Sequence, residues 1–157
     1  MPSLPSRANG AISMCDRCDY NDLLHQAGLE ATAHRLRVLE VVGNHNRPLS
    51  AAEIYTTVQR MQAINRVTVY RILETLVQNG VVDRISGGGR AFFYGLAPNA
   101  HHAPHPHFFC RRCGRMDCLQ AEKIFLDVAK FKKTFTGRIE NVEIRVDGIC
   151  TTCLAKQ

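Results

Sequence analysis

No run of apolar residues in this 157-residue sequence is long enough to span a bilayer. The opening stretch, Met1 to Gly10, lacks the apolar segment of a secretory signal. Both absences lead us to expect a cytoplasmic protein with no membrane partner. No internal repeat is visible. The cysteines have no His-x-Glu or Glu-x-x-His beside them, so the general base that accompanies catalytic zinc is missing. That disfavours a zinc hydrolase. Neither Cys110-Arg-Arg-Cys113 nor Cys150-Thr-Thr-Cys153 is expected to open a helix in a thioredoxin-like βαβ unit, since both flank strand patterns, which disfavours a thiol–disulfide oxidoreductase. We therefore expect no enzyme, no catalytic residue and no small organic substrate.

The composition, 45% hydrophobic and 22% charged, is that of a soluble globular chain. Seven cysteines are many for a reducing compartment, where metal binding is a better reading than a disulfide framework. The formal charge of +6 suits a polyanionic partner, but it is spread over both halves and does not locate a DNA surface.

Residues 1–18 are rich in Pro, Ser, Gly and Asn and read as a flexible leader. Helices are expected over Asp19–Ala27, closed by Gly28, and over Thr32–Val42. Ser50-Ala51-Ala52-Glu53 is a capping box opening a third helix, Ala51–Met61. A fourth runs from Arg66 to Gln78 and stops at Gly80. The period then changes to that of strands: Val81–Ser86 and Arg90–Leu96 flank three glycines as a hairpin. Helices followed by such a hairpin make a winged helix-turn-helix over residues 19–98. A Pro- and His-rich hinge, 99–106, leads to a second domain, 107–157. There, short strands are expected at Phe108–Cys110 and Arg115–Leu119, an amphipathic helix over Ala121–Phe135, and a half-buried strand over Asn141–Asp147. The expected class is α+β: a winged-helix head and a small α/β domain built around a four-cysteine zinc site.

Cys110-Arg-Arg-Cys113 and Cys150-Thr-Thr-Cys153 are two knuckles whose spacing lets both sulfurs of each face one ion. Four thiolates complete the tetrahedral set of a closed structural zinc site. A second set is His105, His107 and Cys118. On an extended segment His105 and His107 point the same way, and a thiolate from an adjacent strand supplies a third ligand of the kind zinc prefers. The fourth helix buries Val69, Ile72, Leu73, Leu76 and Val77, leaving Thr68, Tyr70, Arg71, Glu74 and Thr75 outside. That outer face suits a recognition helix, with Arg71 for phosphate or guanine and the Tyr70 ring for thymine methyls. Arg66 and Arg35 are candidates for phosphate contacts.

These motifs occur in one order: Gly28, Thr32-x-x-Arg35, Ser50-Ala51-x-Glu53-Ile54-Tyr55, Val67-Thr68-Val69-Tyr70-Arg71-x-Leu73, His105-x-His107-x-x-Cys110-x-x-Cys113-Gly114 and Cys150-x-x-Cys153. In that order the chain resembles the ferric uptake regulator family of bacterial metal-dependent repressors, over roughly Asp19 to Cys153. The resemblance implies a homodimer joined through the second domains, two heads gripping palindromic operator DNA, and a hinge metal that locks the heads. Four departures stand out. Pro106 replaces an Asp, Gly95 a Glu, and Arg47-Pro48 occupies the place of a His. Cys118 stands where the family usually places an acidic ligand, which favours zinc over Fe²⁺ or Mn²⁺. The chain is therefore most similar to the zinc uptake regulator branch. By match to that branch Asp83 is a candidate fourth ligand of the exchangeable site. The expectation is a repressor of metal-uptake genes that binds its operator when loaded with zinc; the alternative is an iron- or peroxide-responsive regulator of the same family. Cys15-Asp-Arg-Cys18 lies outside the resemblance and admits three readings: a metal clip, a thiol switch, or two free thiols.

Overall fold

The computed structural model describes residues 18–120 and 127–156. Residues 1–17 of the leader, Cys15 included, and positions 121–126 of the expected fifth helix lie outside the described residues. Each helix of the head begins where a short polar side chain takes up free backbone N–H groups. Asp19 accepts from Asn21 and Asp22 at the start of α1, Tyr20–Gln26. Thr32 accepts from Arg35 at the start of α2, Ala33–Gly43. The capping box forms as expected: Ser50 and Glu53 cap one another at the start of α3, Ala51–Met61. Asn65 caps α4, Arg66–Gln78. After α4 the chain reverses at Gly80, whose φ of +68° is the left-handed conformation that glycine adopts without strain.

Three antiparallel strands complete the head in the order β1-β3-β2, with β1 at Leu49–Ser50, β2 at Val82–Ser86 and β3 at Phe92–Leu96. β1 was not expected. Two residues give no period, and only pairing with Phe93 and Tyr94 makes them a strand. Leu24, Val38, Leu39, Ile54, Val58, Val69, Leu73, Leu76 and Val82 form one buried core beneath the helices. Each such side chain contributes about 1.5–3 kcal/mol by leaving water.

The second domain has a sheet of order β5-β4-β6, with β4 at His107–Cys110, β5 at Met116–Cys118 and β6 at Arg145–Gly148. β4 pairs antiparallel with β5 and parallel with β6. Three expectations need correction. The helix expected over 121–135 instead has an N-terminus at Asp127, whose carboxylate accepts from Ala129 and Lys130 to start α5, Val128–Thr134. An apolar period carried no information about that competing cap. The strand expected from Asn141 pairs only from Arg145, and Val142 and Val146 are exposed rather than covered. The second knuckle does open a helix, the one-turn α6 at Thr151–Leu154, with Cys150 at the N-cap position but no side-chain cap bond. Its setting after a parallel strand in a three-stranded sheet is nevertheless not thioredoxin-like.

The two domains meet through a small apolar cluster. Ile85 and Phe93 of the head pack with Phe109 and Met116 of the second sheet. Among the described residues no helix is long and apolar enough to cross a membrane.

Candidate metal centres and nucleic-acid interface

The 36 residues between the two knuckles are spanned by β4/β6 pairing, which sets Cys110 opposite Gly148. Cys110 ends β4, and Cys113 follows on a turn closed by the Gly114 N–H to the Cys110 carbonyl at 2.9 Å. Cys150 precedes α6 at its N-cap position and Cys153 lies within it, about one turn further on. All four sulfurs fall within 4.8 Å of one another. The Cys150 N–H donates to the Cys110 sulfur at 3.3 Å, and Arg112 ties the first knuckle to the Cys153 carbonyl at 2.8 Å. Backbone N–H groups of Cys113 and Cys150 draw the Cys110 thiol down to about 6. Burial, together with the neighbouring cysteine sulfurs, pushes Cys153 upward. Four converging sulfurs, two of them buried, have the donor chemistry of a closed four-thiolate zinc site.

The second group is equally compact. His107 on β4 stands directly opposite Cys118 on β5, and the His105 ring lies 4.7 Å from that of His107. The ligand atoms of His105, His107 and Cys118 lie within 4.8 Å of one another. The His105 Nδ1 is held by the Ala103 carbonyl at 3.0 Å, while its Nε2 is buried without a partner. A buried ring nitrogen left unpaired costs free energy unless something coordinates it. One nitrogen anchored on a carbonyl and the other free is the usual arrangement of a metal-binding imidazole. Burial, then His105 and His102, push His107 down to about 4, so its ring is neutral near pH 7. Burial and then Asp117 push the Cys118 thiol up to about 11. The residues therefore fit a soft divalent metal, since coordination deprotonates a thiol that burial alone keeps protonated.

This group lines a cleft of about 370 Å³ between head and second domain. Asp83 and Glu143 line it too, as do His45 and His102. Asp83, expected as a fourth ligand, shares the cleft but not the tight cluster. Burial and then Glu143 raise its carboxyl, while His105 lowers it. His102 adds a third ring 5.0 Å from His105; the His-rich motif contained it, but no period singled it out. Glu143 carried no motif at all.

The proposed reading face of α4 carries Tyr70 and Arg71, both exposed. Val67, 60% exposed, joins Tyr70 in an apolar patch between Arg66 and Arg71. Sequence reasoning missed Val67, although it lies one helical turn from both Tyr70 and Arg71. Arg66 rests near the rings of Tyr55 and Tyr70, at 5.8 and 5.7 Å. Thr68 spends its hydroxyl on Asn65 in the cap, and Arg35 donates to the Glu30 carbonyl at 3.0 Å. Both of these lie at helix N-termini, where N–H groups favour anions. Cys15 lies outside the described residues, and Cys18 is disulfide-bonded, which corrects its reading as a free thiol.

Residues 26–146 match the model of the ferric uptake regulator family. The ferric uptake regulation protein of Bacillus subtilis is 30% identical over 137 residues, spanning 85% of this chain and 91% of that protein. The structure of the Vibrio cholerae ferric uptake regulator aligns at a TM-score of 0.64 and 27% identity, over 84% of this chain and all of that one. A zinc uptake regulator solved with zinc and DNA aligns at a TM-score of 0.61 and 23% identity, over 87% of this chain and 91% of that one, a likeness of fold alone.

Proposed function

The chain belongs to the ferric uptake regulator family, and on that premise we propose that it is a cytoplasmic, zinc-responsive repressor that binds operator DNA as a homodimer and controls metal-uptake genes. Members of this family are metal-responsive transcription regulators rather than enzymes. The observation that carries the zinc reading is the donor set in the cleft: two imidazoles and a thiol, with one imidazole nitrogen buried and unpartnered. Thiolate in place of carboxylate tilts preference toward zinc.

In this reading Cys110, Cys113, Cys150 and Cys153 hold a structural zinc. His105, His107 and Cys118 hold an exchangeable one, with Asp83 closing in from the head as a fourth ligand. A bound Zn²⁺ supplies a cross-link between domains. Asp83 belongs to the head and the other three to the second domain, so their joint occupancy favours one head angle. Differential affinity for that angle is all a switch needs. Tyr70 and Arg71 read bases, flanked by Val67, with Arg66, Arg35 and Thr68 toward phosphates. The homodimer buries the apolar side chains left exposed on the second domain, Phe131, Phe135, Val142 and Val146. The iron-responsive alternative draws on the ferric uptake regulation protein of Bacillus subtilis, but Cys118 speaks against it.

The test is operator affinity against free Zn²⁺, Fe²⁺, Mn²⁺ and Ni²⁺ for the parent, His107→Ala and Cys118→Ala, with the structural zinc verified in each. Zinc is expected to raise parent affinity about 5–150-fold and both variants to lose that gain. If both keep it, sensing lies elsewhere. A gain with Fe²⁺ but not Zn²⁺ would select the alternative.

A further inference from the structure

The hairpin that forms the wing is clasped by the second domain at one point. Both carboxylate oxygens of Glu143 accept from Ser86, one from its backbone N–H and the other from its hydroxyl, each at 3.1 Å. The Arg145 guanidinium donates to the carbonyls of Ser86 and Gly87 at 2.8 and 3.1 Å. Asp147 fixes the same guanidinium from its other side at 2.7 and 3.1 Å. Below this lies the Phe109 ring, which meets Phe93 of the wing edge-on at 6.1 Å. A Cβ at Gly88 would sit 2.6 Å from that ring, so the wing approaches this closely only because residue 88 has no side chain.

The clasp shares its frame with the cleft. Across the second sheet one register row reads Cys118, His107, Arg145. Glu143 lines the cleft beside Asp83, and Asp83 lies on β2 three residues before Ser86. His105, His107 and Cys118 are already gathered while the wing is clasped. Those three all belong to the second domain; what the clasped wing keeps in place is Asp83, the head's candidate ligand, on the wall of the same cleft.

We propose that Glu143 and Arg145 are positioning residues that clasp the wing at Ser86 and Gly87, holding the head at the angle at which the cleft takes up metal. The proposal rests on the zinc-repressor reading for its consequence at DNA, but not for the clasp itself. A protein whose competent state is populated only in part binds with an affinity reduced by that fraction. Removing the clasp lowers the fraction. It therefore weakens metal uptake and, by linkage, operator binding of the metal-loaded protein.

The experiment uses the full-length dimer with its structural zinc in place and compares the parent with Glu143→Ala, Glu143→Gln and Gly88→Ala. Glu143→Gln keeps an acceptor for the Ser86 N–H. Gly88→Ala pries the wing off Phe109 from a position outside the metal cluster. Three quantities are read: hydrogen exchange of the Ser86 amide, Zn²⁺ affinity of the exchangeable site, and operator affinity with and without Zn²⁺. Glu143→Ala and Gly88→Ala should lose Ser86 protection. Both should lower Zn²⁺ affinity and zinc-loaded operator affinity by on the order of tenfold, the effect of losing two hydrogen bonds. Metal-free operator affinity, which draws on the same clasped fraction, should fall as well, and Glu143→Gln should stay near the parent. Unchanged protection and Zn²⁺ affinity in Glu143→Ala overturn the proposal. So does a rise in metal-free operator affinity, the mark of an inhibitory contact. If the parent gains no operator affinity from any metal, the repressor reading falls, while Ser86 exchange and Zn²⁺ affinity still decide the clasp.

Discussion

Glu53 shows how one side chain can serve two neighbours at once. Its carboxylate accepts from the Ser50 N–H at 2.8 Å, closing the capping box, and from Arg47 at 2.8 Å. Arg47 is one of the departures from the family pattern, and here it has a structural partner. Burial pushes the Glu53 carboxyl up, but hydrogen bonds from Arg47 and Ser50 outweigh it and hold the group below its ordinary value. A carboxyl depressed in the folded state contributes stability above its unfolded pKa, about 4.3, and loses it as pH falls through the folded value. Glu53→Gln should thus cost from a few tenths to about 1 kcal/mol near pH 7, the exposed part of the pair being screened. The cost should fade below about pH 4. Denaturant melts of both proteins at pH 7 and pH 3 check this; an equal cost at both values would mean that the charge contributes nothing. The capping residues were legible from spacing alone, because a cap depends on residues three apart. The Glu143 clasp was not, because its two ends lie 57 positions apart and no local pattern joins them.

At the scale of elements, legibility followed the length and strength of the period. α4 was readable almost to the residue: Val69, Ile72, Leu73 and Leu76 are buried, as the 3.6-residue spacing requires. β1 and α6 were not readable, being two and four residues long. α5 was misjudged because Asp127 caps a new start within an apolar pattern. The outward face of α4 yields a test. Arg71 is exposed, and the apolar patch of Val67 and Tyr70 lies beside it. If that face enters the major groove, Arg71→Ala should cost about 1–3 kcal/mol on the operator and relax discrimination among sequences. Arg35→Ala should instead weaken all sequences alike and flatten the salt dependence. Titrations with zinc saturating, on operator and scrambled duplexes at two salt concentrations, separate the two. Operator affinity in Arg71→Ala equal to the parent's would remove α4 from the reading role.

For the whole molecule, what holds the second domain together is decisive. Among the described residues its sheet has three strands, and its large apolar side chains Phe131, Phe135, Val142, Val146 and Leu154 are exposed in the single chain. A three-stranded sheet with so little covered surface is marginal unless something clamps it. The knuckles lie where a clamp acts best: Cys110 at the end of β4, Cys150 and Cys153 just after β6, its parallel neighbour. One ion on four sulfurs would tie the two strands at the same end and fix the turn that carries Cys113. In small zinc domains that binding energy is folding energy, about 10–16 kcal/mol at neutral pH. Cys113→Ser removes the ligand that is exposed and least engaged in packing, so its loss reports on coordination more than on core volume. The variant should lose one zinc per chain, lose the second domain's protection from hydrogen exchange, and elute as a monomer. The winged head has a separate core centred on Leu39, Ile54, Leu73 and Leu76 and should keep its helical circular dichroism. Strong chelation of the parent should reproduce the same split between a folded head and an unfolded second domain. A Cys113→Ser protein that stays a dimer with its zinc content unchanged would show that the four sulfurs hold no structural ion, and the clamp would have to be the dimer interface itself.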